Sequence, residues 1–486
     1  MKTSFFVAAL LALPVWHDAS ARDLMAVYEE ALANDPQLRA ARANLQATRE
    51  VRPQALSQLL PALGLTGSAN RVHQETETGL AAQSPNFSSA LSTLQRISSG
   101  ASVASVVGGQ VLTRLTQPDS VKTDTTYNTH DLALTLTQPI FRRENWIQLS
   151  QADNRIAQAQ AEYLAEEQGL MLRVSDAYFN VLGAEDALEF ARAERIAIER
   201  QLEQAKQRFE VGLIAITGVH EAQARFDQAR ASEIAAQNAL DNAWEALREI
   251  TGYGEEQGSL DSVAADLPLD MPVPADIEAW SEVAVEQNPA VIAALNGTEI
   301  ARKNIEVQRS EHYPKIDLVG SHSISRTDRP TGTDVDASSI GVQLAVPLYA
   351  GGGIVSRTRE ARHAFDAAKD QLEQQRRSAK RQVRDSYRGV ESNISRVEAL
   401  AAANVSAESA LEATEAGYEV GTRTIVDVLN AEQELFRAKR EYARARYDYI
   451  VNGLALKQAA GSLSPEDLQR VNGLLAEKSQ AQEIQE

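Results

Sequence analysis

The sequence predicts a mainly helical, internally duplicated chain that also contributes a few strands to a membrane β-barrel. Three observations predict it. Landmarks recur at near-fixed offsets through two halves. Four segments alternate apolar with small or polar residues. Two very long stretches carry coiled-coil spacing without interruption.

The duplication is read from matched pairs. Asn34-Asp35-Pro36 returns as Gln287-Asn288-Pro289, and Leu60-Pro61-Ala62-Leu63 as Tyr313-Pro314-Lys315-Ile316, both 253 residues later. Gln138-Pro139-Ile140-Phe141 returns as Val346-Pro347-Leu348-Tyr349 after 208, and Phe209-Glu210-Val211-Gly212 as Tyr418-Glu419-Val420-Gly421 after 209. A period this long means two structurally equivalent halves rather than a solenoid module. The chain divides into a signal peptide (1–21), a first repeat (22–252), a connector (253–276), a second repeat (277–462) and a C-terminal tail (463–486).

Composition supports long helices. Aromatics make up 5% of the 486 residues, too few for a bulky globular core, while Ala, Gln, Glu and Arg abound. The net charge of −19 speaks against a nucleic-acid partner. Lys2, the apolar run Phe5 to Val15 and Ala19-Ser20-Ala21 read as an export signal, with Arg22 as the first mature residue. A membrane anchor is the other reading, but the run is too short to span. With no cysteine, the chain has no disulfide, no thiolate metal site and no acylated N-terminal cysteine. Membrane attachment must then come from the fold, and a barrel provides it without an apolar helix.

After a short helix (about 24–34) and a longer one (about 36–59), strands are expected at about 62–72, 129–139, 314–326 and 338–348. In the first, Leu63, Leu65, Gly67 and Ala69 alternate with Gly64, Thr66 and Ser68; in the last, Ile340, Val342 and Leu344 alternate with Gly341, Gln343 and Ala345. Period two is the strand signal, and about ten residues suit a tilted membrane strand. Four strands cannot close a barrel, for which about eight is the small end. Several chains must therefore share one. The first strand pair carries an insert rich in Ser, Gly and Thr at about 75–125, read as an extracellular loop of unknown purpose.

Each second strand runs into a helical hairpin, at about 145–250 and 355–460. Ile198, Leu202, Ala205 and Phe209 step by four, three and four, as do Ala407, Leu411, Thr414 and Tyr418. Val219, Ala222, Phe226 and Ala229 match Val428, Ala431, Leu435 and Ala438 across the turn. These are coiled-coil spacings. Glycine ends the first helix of each hairpin at Gly212 and Gly421.

No catalytic constellation appears, so no enzyme activity and no cofactor or metal is expected. The seven histidines fall into no ligand spacing. Gly351-Gly352-Gly353 follows a strand like a phosphate loop, but Arg142-Arg143 stands in the equivalent stretch, so a chain bend is expected instead.

The stretch Gly417-Tyr418-Glu419-Val420-Gly421-Thr422-Arg423-Thr424-Ile425-Val426-Asp427-Val428-Leu429-Asn430-Ala431, with its first-half counterpart Phe209 to Val219, resembles the TolC family of outer-membrane export ducts. Pro347-Leu348-Tyr349, Tyr447-Asp448-Tyr449, Leu454 and Gly461 fit less specifically. The resemblance covers the mature chain. It implies a homotrimer in the Gram-negative outer membrane, with a twelve-stranded β-barrel continued by a periplasmic α-helical barrel. It implies passive export of drugs, proteins or both, with a periplasmic adaptor (membrane fusion protein) and an inner-membrane pump of RND or ABC type as partners. The hairpin tips, Gly212, Leu213, Gly421 and Thr422, would dock the adaptor.

The family closes its periplasmic end with a tyrosine, an arginine and acids. Tyr418, Arg423 and Asp427 fall on those positions. Two positions depart: Gly218 and Asn430 stand where acids are expected. Glu221, the internal counterpart of Asn430, is a candidate to restore an acid, and Thr217 a candidate partner for Arg423. The leading rival reading is a periplasmic coiled-coil adaptor, which would need a lipoyl-type β domain; a second is a secreted enzyme, against which the absent catalytic constellation speaks.

Overall fold

The computed structural model describes residues 22–79, 120–252, 259–264, 266–328 and 332–476. The segment expected to be a signal peptide, most of the insert and the end of the tail lie outside the described residues. The chain forms two compact units, a β unit of Leu56–Trp146 and Glu311–Ala350, and a helical unit of the rest.

The β unit is one antiparallel sheet in the order β1 (Ala62–Gly79), β2 (Ser120–Phe141), β4 (Lys315–Thr327), β5 (Val335–Ala345). Its register aligns the apolar positions: Leu63 pairs with Leu136, Leu136 with Gly320, and Gly320 with Ile340. The face so formed is open, with Ile340 77% exposed. In water such a face would aggregate. β1 and β5 each leave an unpaired edge, and backbone groups at membrane depth need partners.

The first two strands outrun their expected limits, pairing as far as Gly79 with Ser120. Beyond Val72 both faces are polar, so the backbone ladder continues where the hydrophobic period falls silent. β2 passes Pro139 through a register shift between Pro139 and Phe141, the position a donor-less residue tolerates. β5 stops at Ala345, short of the expected 348, because its partner β4 begins opposite it at Lys315. Arg142 donates two hydrogen bonds to Asp317, at 2.8 and 2.7 Å, tying the end of β2 to β4.

The helical unit opens with α1 (Leu24–Asn34), α2 (Pro36–Arg49) and α3 (Val51–Ser57). The single helix expected over 36–59 is broken at Glu50. Pro53 has no N–H to give the Arg49 carbonyl and its ring crowds that oxygen. The long helices are α4 (Arg143–Glu210, 68 residues) and α5 (Ile216–Thr251) in the first half. α6 (Ile277–Gln287), α7 (Pro289–Ser310), α8 (Gly353–Glu419, 67 residues) and α9 (Ile425–Ala460) follow in the second. At 1.5 Å per residue α4 and α8 each run about 100 Å. Gly351 and Gly352 adopt left-handed conformations ahead of α8, the expected bend.

The repeated Asx-Pro motifs are helix starts. Asp35 accepts hydrogen bonds from the N–H groups of Gln37 and Leu38, and Asn288 from that of Ala290, each with proline at the first helical position. One core gathers Tyr28, Leu170, Tyr178, Phe179 and Trp244; another gathers Trp280, Val383, Tyr387 and Leu456. The connector wraps onto the first. Leu260 is fully buried, and β3 (Ser262–Val263) pairs with β6 (Leu475–Ala476) in the tail. The tail also carries α10 (Pro465–Asn472), so the region expected to be a tail is folded to Ala476.

Candidate functional site at the hairpin tips

A third apolar cluster lies near the tips and draws on all four long helices. Ile198, Leu202 and Ala205 come from α4, Ala222 and Ala229 from α5, Tyr418 from α8, and Ile425, Val428 and Leu429 from α9. The two hairpins thus share one seam. Each tip turns through a left-handed glycine, Gly212 or Gly421. In each, the N–H three residues past the helix donates back to a carbonyl five residues earlier: Leu213 to Arg208 and Thr422 to Gly417, both at 2.8 Å. This is a Schellman closure. Gly212, Leu213, Gly421 and Thr422 are all exposed, Leu213 at 73%.

The second tip is stiffened further. The Asp427 N–H donates to Thr424 Oγ1, while Asp427 Oδ2 accepts from the Thr424 N–H at 2.8 Å and its hydroxyl at 2.9 Å. This capping box starts α9. Hydrogen bonds from the Thr424 backbone and hydroxyl, and then the charge of Arg423, hold the Asp427 carboxyl below the usual carboxylate range. Within the chain Asp427 is therefore a helix-start acid, and its carboxylate stays accessible to solvent.

Arg423 lies along Gly417. A Cβ there would sit 2.7 Å from Arg423 Cγ, so glycine gives the arginine stem its place. No hydrogen bond joins Arg423 to Thr217 among the described residues; Thr217 is exposed. Tyr418 is 6% exposed, with the Arg208 guanidinium 4.3 Å over its ring. Its hydroxyl is buried and finds no hydrogen-bond partner among the described residues. Gly218 is buried, and a Cβ there would meet Ile425 Cγ2 at 3.4 Å, so the first tip leans on the start of α9. Glu221 is exposed.

The polar links between the hairpins join Asn430 and Tyr447, which the sequence had singled out, to partners it had not, and add pairs that sequence reasoning missed altogether. Arg225 of α5 donates to Asn430 Oδ1 at 2.8 Å and to Gln433 Oε1 at 3.1 Å. Within the chain Asn430 is the acceptor of a cross-hairpin clamp. Further along, Gln201 donates to Glu432 at 3.2 Å and Arg440 to Glu194 at 2.8 Å. Tyr447 donates to Asp186 at 2.6 Å. One signal for Glu432 was present: Ile425, Leu429 and Glu432 step by four and three, a second stripe on α9 that ends in an acid. Among the described residues no group of three or more His, Asp or Glu is placed to hold a metal ion. No described helix is long and apolar enough to cross a membrane.

Comparison with known proteins agrees with this architecture. The outer membrane efflux protein family matches residues 27–253 and 280–462, one match in each half. The chain is 38% identical to outer membrane protein TolC of Vibrio cholerae over 475 residues, 96% of this chain and 97% of that one. It is 30% identical to the alkaline protease secretion protein AprF of Pseudomonas aeruginosa over 473 residues, 97% of this chain and 90% of the relative. The crystal structure of CusC superposes with a TM-score of 0.72 at 18% identity, over 91% of this chain and 92% of that one, a likeness of fold. The adaptor reading is not favoured by these matches. Duplicated hairpins, an open four-stranded sheet and a family match spanning both halves place this chain in the outer membrane efflux protein family.

Proposed function

We propose that this protein is a passive export duct of the outer membrane, closed at its periplasmic end by the hairpin tips. One observation carries the reading. A sheet with an exposed apolar face and two unpaired edges belongs to the same chain as two very long coiled hairpins. Three copies would supply twelve strands and satisfy every edge. The apolar face then meets lipid, and the helices supply a conduit wall. The names of the relatives, one a TolC and one a protease secretion protein, support a cargo of small compounds, proteins or both.

Partners follow from the same reading: a periplasmic adaptor at Gly212, Leu213, Gly421 and Thr422, and an inner-membrane pump of RND or ABC type. The gate comprises Tyr418, Arg423, Asp427 and Asn430 with Thr217, Gly218 and Glu221 on the facing tip. Three copies of Asp427 near one axis would favour cations in a narrow passage.

Membrane fractionation with gel analysis of unheated samples tests the architecture: a heat-resistant trimer in the outer-membrane fraction is expected, and a soluble periplasmic monomer would overturn it. Arg423→Ser should raise single-channel conductance in a planar bilayer, whereas an unchanged trace removes Arg423 from the gate. Glu221→Gln should weaken cation selectivity if Glu221 serves as the missing acid.

A further inference from the structure

We infer that the Glu432 carboxyl is a proton-binding site in the seam between the two hairpins, and that the seam closes on its protonated form. This rests on the reading of the protein as a duct whose tips part to open.

Glu432 is 3% exposed. Its Oε1 accepts one hydrogen bond, from Gln201 Nε2 at 3.2 Å. Among the described residues its buried Oε2 finds no partner, nor does the buried Gln201 Oε1. An amide and a carboxylate held together in this way leave one buried acceptor on each group without a hydrogen bond. A proton on the carboxyl supplies the missing donor and turns a single bond into a reciprocal amide–acid pair.

The described residues around it offer no alternative counter-charge. From α4 the facing charged group is Glu194, and its guanidinium partner, Arg440 of α9, is committed to it at 2.8 Å. From α8 it is Glu415. Arg225 of α5 is engaged with Asn430 and Gln433, and Arg208 lies over the Tyr418 ring. An ionised Glu432 would be a buried anion next to two other acids, with a neutral amide as its only hydrogen-bond donor.

Burial first, then the charges of Glu415 and Glu194, push this carboxyl up to about 7, while the Gln201 hydrogen bond pulls the other way. When the hairpins separate, water reaches the group and it returns to its ordinary value of 4.5. The packed seam therefore binds the proton more tightly than the parted one. Its closure is fully supported below the ordinary value, weakens as pH rises from there to about 7, and levels off above. Gln201 belongs to the first-half hairpin and Glu432 to the second, so parting the hairpins relieves the buried charge directly.

The chain has no cysteine, so Gln204→Cys and Glu434→Cys, both at exposed positions, take spin labels at defined sites on α4 and α9. Pulsed distance measurements on the full trimer between pH 4.5 and 8 should show the parted population rising about tenfold to a hundredfold, with no further change above pH 7.5. Glu432→Gln, whose amide donates without a proton, should hold the low-pH distance throughout. A distance independent of pH with Glu432 present, or the same pH response in Glu432→Gln, overturns the inference. Conductance recorded on the same preparation reports separately on the duct reading. A preparation that inserts no channels counts against that reading, while the distances still decide the role of Glu432.

Discussion

The two hairpin tips are built on one plan and finished differently. Under the 209-residue offset Ala215 corresponds to Thr424 and Gly218 to Asp427. The second tip therefore has a capping box, and the first starts α5 with no side-chain cap at Ala215. Phe209 is 42% exposed, whereas its counterpart Tyr418 is buried under Arg208, a first-half residue. The second tip is locally self-sufficient. The first borrows order from it, through Gly218 against Ile425 and Arg225 on Asn430 and Gln433. Duplication supplied two equal hairpins; divergence at a few turn positions capped one and left the other leaning on it, the asymmetry expected if one is the latch of the proposed gate and the other its receiver.

The sharpest break of that comparison is in the shared core. Leu429 is 1% exposed, and its counterpart His220 is exposed. Leu429→Ala should cost about 2–4 kcal/mol in denaturant unfolding of the helical unit; His220→Ala should stay within about 0.5 kcal/mol. Equal effects would mean the tips are equivalent after all.

Next comes the clamp. Arg225→Ala leaves Asn430 and Gln433 without their donor, and should raise single-channel conductance, with Asn430→Asp acting in the opposite direction by turning the bond into an ion pair. No change in either variant would remove the clamp from the closed state.

A smaller effect concerns the cap. Thr424→Ala should speed amide exchange over 425–428 roughly fivefold, the usual worth of an N-cap, while Ala215→Thr with Gly218→Asp should slow it over 216–219. The cap is also pH-dependent. Because the Asp427 carboxyl is depressed, its contribution is present above the ordinary carboxylate range and fades as pH falls through its lowered value. Protection over 425–428, corrected for intrinsic exchange, should fall in acid and stay level in Asp427→Asn, whose amide does not titrate.

The smallest is Tyr418→Phe. It deletes a buried hydroxyl that has no hydrogen-bond partner among the described residues but keeps the ring under Arg208, so stability should hold or improve slightly and, if the ring is the part that serves the gate, conductance should stay at the closed level. A large rise in conductance would mean that the hydroxyl bonds across to another copy of the chain.

Much of this difference was written in the sequence, and some was not. The glycines at 212 and 421 and the heptad steps placed both hairpins, because helix ends and packing seams are set by local chemistry. The strands were legible where lipid-facing alternation marks them, and were underestimated past Val72, where only the backbone ladder persists. The kink at Glu50 was missed although Pro53 announces it. Tyr418, Arg423 and Asp427 stood out by resemblance. Arg225 and Glu432 did not, because their partners lie 205 and 231 residues away in sequence. A polar residue on a long helix reads as solvated surface until the facing helix is known.

The close approach of Gly218 to Ile425 offers the most direct test of the latch and receiver. In the cysteine-free chain, Gly218→Cys with Ile425→Cys places two thiols within reach of a disulfide. In an Arg225→Ala background, oxidation should return the raised single-channel conductance to the closed level, and a reductant should restore it. If the oxidised, cross-linked pore conducts as freely as the reduced one, the tips do not close the duct.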